Sequence, residues 1–130
     1  MNIAKASDLS GLPPKTIRYY EEIGLLIPAR RPNGYRDYSD ADVQRLAFLH
    51  RARNLGFDIE SCRKLLALYS DDARESAAVK ELAAAHLAEV EQKMVELDEM
   101  AATLRHLIAH CRGYDHPECA IIERLAGHDA

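Results

Sequence analysis

Apolar residues near the start of the chain fall at Ile3, Ala6 and Leu9 and stop at Gly11, the spacing of a short helix with one buried face. Pro13 and Pro14 open the next segment, PPKTIRYYEEIGLL. Proline is excluded from a helix interior but suits a first turn. Ile17 and Tyr20, with Tyr19 beside them, then recur at helical spacing until Gly24 closes the element. Two short helices joined through a glycine-containing turn predict a helix-turn-helix. In LIPARRPNGYRDYS, the pair Asn33-Gly34 predicts a two-residue type I′ hairpin, whose central residues both need positive φ. That hairpin carries Arg30, Arg31, Tyr35, Arg36 and Tyr38, the makings of a basic wing. Ser39 with Asp42 marks a helix start, although the usual capping box has Glu or Gln at the second position. The helix runs to about Asn54 with Val43, Leu46, Ala47 and Phe48 or Leu49 inward, and Gly56 breaks it. Asp58 caps another, to about Tyr69, that buries Ile59, Cys62, Leu65, Leu66 and Leu68.

From about Ser76 to His110 there is no glycine or proline. Ala83, Leu87, Val90, Met94, Leu97, Ala101, Leu104 and Ile108 follow one another in alternating steps of four and three, a heptad seam. At 1.5 Å per residue such a helix is about 45 Å long, more than a compact monomer of 130 residues can use. The stripe is expected to bury against a second copy, parallel or antiparallel; packing on the chain's own domain is the alternative. The fold class is therefore mainly α. Residues 1–70 form a winged helix-turn-helix domain, 71–110 a linker and coiled-coil dimerisation helix, and 111–130 a short loop and closing helix.

Charge sharpens the picture. The formal net charge is −4, yet residues 1–56 carry nine Lys and Arg against six Asp and Glu, while the remainder carries eight against fifteen. A basic front on an acidic protein points to an anionic partner for that half alone. Lys15, Thr16, Arg18 and Tyr19 lie near the start of the second helix, and residues three or four apart are neighbours on a helix surface. That face suits a DNA major groove, with Arg18 able to reach guanine edges or phosphates. Wing arginines and tyrosine hydroxyls suit phosphates, which position a protein without choosing sequence. For one basic helix, solvated charge is the simpler account; the helix-turn-helix, wing and dimer helix together point to double-stranded DNA. No apolar run reaches the ~20 residues of a membrane span, and the N-terminus lacks a signal-peptide core. The expected setting is cytoplasmic, away from membranes, where thiols stay mostly reduced.

Three cysteines remain. Cys62 falls among apolar positions and reads as core. Cys111 and Cys119 bound the loop CRGYDHPEC, where a thiol pair points to metal or redox chemistry. Two soft thiolates suit Cu(I), which accepts two ligands. Zn(II) normally takes four, and His106, His110 and His116 are available to it. His106 and His110 also suit the negative end of a helix dipole without any metal. Asp115 and Glu118 read as turn residues, since carboxylates suit harder ions. No Ser/His/Asp set, phosphate loop or HExxH motif is present, so the chain is not expected to be an enzyme.

The run IRYYEEIGLL, NGYRDY, RARNLGF, long helix and Cys-bounded loop resembles the MerR family of transcription regulators over essentially the whole chain. CRGYDHPEC followed by AIIERL is similar to the metal loop and closing helix of the copper-efflux regulators in that family. The resemblance implies an antiparallel coiled-coil dimer that binds a palindromic promoter element with an over-long spacer. It also implies that the metal-bound form distorts the DNA so that RNA polymerase engages both promoter elements. Carried over residue by residue, Lys15, Arg18 and Tyr19 match the recognition helix and Tyr35 and Arg36 the wing. Arg53 matches a further backbone contact, and Arg31 or its neighbour Arg30 another wing contact. Leu87, Val90, Met94, Leu97, Ala101, Leu104 and Ile108 become the dimer interface. Ser76 stands where sensors of divalent ions carry a Cys that reaches the partner's loop. With two sulfurs only, the resemblance implies one Cu(I), Ag(I) or Au(I) per chain, held by Cys111 and Cys119. A divalent-ion sensor for Zn(II) or Pb(II) and a redox switch on a Cys111–Cys119 disulfide are the alternatives of the same fold. A copper storage or transfer protein is the alternative outside it, and leaves the basic half unexplained.

Overall fold

The computed structural model describes residues 1–111 and 119–127. The chain divides into two compact units, Met1–Leu82 and Ala83–Ala130, within the mainly helical class expected.

The first unit is built on four helices and a hairpin. Helix α1 spans Ile3–Ser10: Asn2 caps it by accepting from the Lys5 N–H, and Gly11 ends it at φ 81°. Leu9 turns outward, and Ser10 is buried instead, its Oγ accepting from the Leu12 N–H. Helix α2, Pro14–Glu22, starts on proline with no side-chain cap. Helix α3, Asp40–Asn54, begins at a full capping box: Ser39 accepts from the Asp42 N–H, and the Asp42 carboxylate accepts from the Ser39 N–H. Aspartate thus does the work usually given to Glu. Helix α4, Ile59–Tyr69, is capped by Asp58, which accepts from the Ser61 N–H at 2.7 Å. Strands β1 (Ala29–Arg30) and β2 (Arg36–Asp37) pair antiparallel with Arg30 opposite Arg36.

The hairpin corrects one expectation. Gly34 has φ 86° and, among the described residues, no non-glycine residue has positive φ, so Asn33 and Gly34 are not the centre of a type I′ turn. The Gly34 N–H donates to the Arg31 carbonyl and the Arg31 N–H to the Tyr35 carbonyl. The loop is three residues, Pro32 to Gly34: a turn with proline at its second position, then a left-handed glycine. Proline's fixed φ favours that arrangement over one beginning at Asn33.

Ala6, Ile17, Tyr38, Leu46, Leu49 and Cys62 are essentially inaccessible and form the centre of the core. Helix α3 packs on α1 and α4, and α1 on α2. Cys62 is buried as expected, its thiol directed to the Phe57 carbonyl, and burial pushes its pKa up.

Helix α5, Ser76–His110, is continuous over 35 residues; helix α6 covers Ala120–Leu125. No described helix is long and apolar enough to cross a membrane.

Candidate nucleic-acid interface and thiol pair

Burial of Ile17 and Tyr20 fixes the rotation of α2. Residues at intermediate helical positions must then face away from the core, and Lys15, Arg18 and Tyr19 are exposed with Thr16 half-buried. Tyr19 had an inward alternative in the sequence; it is 48% exposed, its ring tilted against Tyr20 at 6.3 Å.

The wing sits beside this face. Arg18, Arg31, Tyr35 and Arg36 line one cleft of about 460 Å³ together with Asn2 and Ile3. Three guanidiniums and a phenol converge there, a donor set suited to phosphate oxygens. The two wing arginines differ in their engagements. The Arg30 guanidinium donates to Glu21 at 2.8 Å and to the Gly34 carbonyl at 3.1 Å. Arg31 lies 3.6 Å from Asp37, and its side chain is half exposed. Arg36 donates through Nε to the other oxygen of Glu21, and that bond raises the arginine pKa further. Asp37 accepts from the Met1 ammonium at 2.6 Å, which holds its carboxyl below the usual range. Burial raises the pKa of Tyr38. Arg53 lies outside this cleft; its Nη1 donates to the Phe57 carbonyl at 2.7 Å and secures the turn after α3. Glu21 and Asn2 were not singled out by the sequence. No local pattern marks a carboxylate whose partners lie nine and fifteen positions away.

The second candidate joins two helix ends. Cys111 follows the last residue of α5, and its N–H donates to the Leu107 and Ile108 carbonyls. Cys119 is the N-cap residue of α6, with its carbonyl accepting from Glu123. The two Sγ atoms are 3.1 Å apart and both thiols are free and partly exposed. The hydrogen bond from Cys111, then the Ile122 and Ile121 N–H groups, lower the Cys119 pKa, favouring the thiolate that binds metals and attacks disulfides. This donor set fits a soft cation. The His106 and His110 rings lie 4.1 Å apart, tilted by 40°, and His110 Nδ1 meets the His106 carbonyl at 2.8 Å. Among the described residues no group of three or more His, Cys, Asp or Glu is gathered to hold an ion; His116, Asp115 and Glu118 lie outside those residues. Ser76 is exposed and is the first residue of α5.

Along α5, Leu87, Val90, Met94, Leu97, Leu104 and Ile108 are exposed by between 37% and 61%, and Ala101 is half-buried. Nothing in the described chain covers the stripe, whereas Leu107, off the seam, is buried.

Comparison with known proteins places this architecture. Residues 1–68 match the family described as MerR HTH family regulatory protein, and residues 43–107 that described as MerR, DNA binding. The chain is 55% identical to the HTH-type transcriptional regulator HmrR of Rhizobium leguminosarum bv. viciae, over 97% of this chain and 98% of that one. It is 50% identical to heavy metal-dependent transcription regulator 2 of Rhizobium meliloti, covering all of this chain and 89% of the relative. Among solved structures it is similar to the transcription regulator PbrR691 from Ralstonia metallidurans CH34 in complex with lead(II). The TM-score is 0.81 and the identity 32%, over 96% of this chain and 98% of that one.

Proposed function

We propose that this chain, which belongs to the MerR family of transcriptional regulators, is a dimeric, metal-responsive activator whose ligand is a soft monovalent cation. The α2 face and the wing bind a palindromic promoter element, and the α5 seam holds two chains together antiparallel. Cys111 and Cys119 take up one Cu(I), Ag(I) or Au(I) per chain, and RNA polymerase then transcribes copper-efflux genes. The protein acts by binding, not by catalysis.

The observation that carries the metal reading is the pair of free thiols 3.1 Å apart at the α5–α6 junction. Cys111 and Cys119 would hold the cation, and it would supply soft Lewis-acid character where the end of α5 meets the start of α6. Leu107 and Ile108 orient Cys111 through their carbonyls, and the hydrogen bond from Cys111, then the Ile122 and Ile121 N–H groups, support a thiolate at Cys119. Ser76 supports the choice of charge: a hydroxyl is a poor partner for a divalent ion beside thiolates, and two sulfurs suffice for Cu(I). Two other readings of the same pair have their own support. A lead(II) complex of a relative 32% identical favours a divalent ion. A gap only about 1 Å longer than an S–S bond favours a redox disulfide.

An anaerobic titration of the reduced protein with Cu(I) and with Zn(II), each against a chelator of known strength, together with a transcription assay under oxidant without copper, decides among them. Tight Cu(I) binding at one ion per chain, lost in Cys111→Ser and Cys119→Ser, with weak Zn(II), is expected. Tight Zn(II) binding instead, or transcription that follows oxidant without copper, refutes the monovalent reading.

A further inference from the structure

We infer that Glu21 is the positioning residue of the DNA-contacting face: its carboxylate fixes both wing strands against α2 so that Arg36 meets a backbone phosphate in one orientation. The inference rests on the DNA-binding reading above and adds a residue to it.

Glu21 closes the exposed face of α2, yet its side chain is only 15% exposed. One oxygen takes Arg30 Nη2 from β1 at 2.8 Å, and the other takes Arg36 Nε from β2. One carboxylate therefore grips both strands of the hairpin. Arg30 continues to the Gly34 carbonyl at the loop tip, so the grip extends along the wing. A hairpin with two residues per strand has little stability of its own, and its angle to the helix must be set by contacts such as these. Arginine offers five N–H donors in a rigid fork. With Nε spent on Glu21, Arg36 keeps its Nη groups for another acceptor, and it lines the cleft shared with Arg18 and Arg31.

Electrostatics alone assigns Glu21 the opposite role. A carboxylate beside a phosphate-binding face repels DNA, so removing its charge should tighten binding to every duplex. Positioning makes a different claim. A released Arg36 still attracts phosphates in general but no longer holds the one geometry that fits the specific complex.

The experiment uses the full-length chain with two probes. One is a duplex selected by the wild-type protein from a random-sequence pool; the other is a scrambled duplex of equal composition. Glu21→Gln removes the charge and keeps the shape, whereas Glu21→Asp keeps the charge and shortens the reach. Affinity is measured across a salt series below the melting midpoint of each variant. Both variants are expected to bind the selected duplex about tenfold less tightly, the scale of one lost charge-assisted hydrogen bond. On scrambled DNA, Glu21→Gln should bind as well as wild type or better, with a salt slope steeper by up to about one. Equal tightening on both duplexes by Glu21→Gln, or wild-type behaviour of Glu21→Asp on both, overturns the inference. In the free protein, the Arg36 Nε–H resonance should be protected from exchange and lose that protection in Glu21→Gln. An unprotected resonance in wild type also overturns it, whether or not a variant folds poorly. If the wild-type chain selects no duplex, it is the DNA-binding reading that fails.

Discussion

Tyr38 sits between β2 and α3 with 1% of its surface exposed. Its hydroxyl oxygen is buried and has no hydrogen-bond partner among the described residues. An unpaired buried hydroxyl costs about 1–3 kcal/mol of desolvation. Tyr38→Phe removes that group, leaves the ring and its packing in place, and opens no cavity larger than one oxygen. Stability should rise by about 1 kcal/mol, the low end of the range because the site can relax. For a chain of this size that corresponds to a melting midpoint higher by about 4 °C. The pH dependence provides a second reading of the same substitution. Burial raises the Tyr38 pKa in the folded protein, so above about pH 10 the unfolded chain ionises first. The stability contribution is complete below the unfolded value and is lost as pH rises through the folded one. Tyr38→Phe should flatten that alkaline decline, though not abolish it, because burial also raises Tyr20. Thermal melts by circular dichroism at one fixed protein concentration, from pH 7 to pH 11, measure both effects. A fall in midpoint at pH 7 would show that the hydroxyl is satisfied in solution and refute the reasoning.

Three further outcomes follow from the same structure. Leu97, 60% exposed on the seam, loses about 1.5–3 kcal/mol of burial per chain as Leu97→Glu and puts a charge into an apolar stripe; sedimentation should report a monomer, and an intact dimer would remove Leu97 from the interface. Gly11→Ala puts a methyl at φ 81° and 3.3 Å from the His50 ring, so urea unfolding should show a loss of about 1–2 kcal/mol; an unchanged midpoint would mean that α1 ends differently. Hydrogen bonding to the Ser61 N–H lowers the Asp58 pKa, so its contribution is present above the unfolded carboxyl value and lost as pH falls through the folded one. Asp58→Asn should show a shallower drop in urea midpoint below about pH 4, and an unaltered acid slope would count against the cap.

How much of this was legible depended on the range of the interactions. Helix α5 was readable because a 35-residue element repeats its pattern often enough to exclude other periods. Asp58 and Ser39 were readable because a cap acts three residues away. The hairpin was half legible. Its existence followed from Asn33-Gly34 between extended residues, but the turn type followed from Pro32, one position earlier. The split between Arg30 and Arg31 was not legible, because it is decided by where Glu21 and Asp37 stand in space. For the thiols, sequence spacing gave a pair across one loop. It did not give the convergence of the end of α5 and the start of α6 on 3.1 Å.

Helix α3 touches both α1 and α4; the α4 contact joins neighbours along the chain, whereas the α1 contact closes over α2 and the whole hairpin. Local contacts form at little cost in loop-closure entropy and distant ones only after a longer search. The distant closures are those of α1 on α3, of the Tyr38 N–H on the Met1 carbonyl and of Arg63 on the Ile23 carbonyl, 40 positions apart. The α3–α4 pair should therefore assemble first, and the docking of α1, which brings Met1 onto Tyr38, should follow.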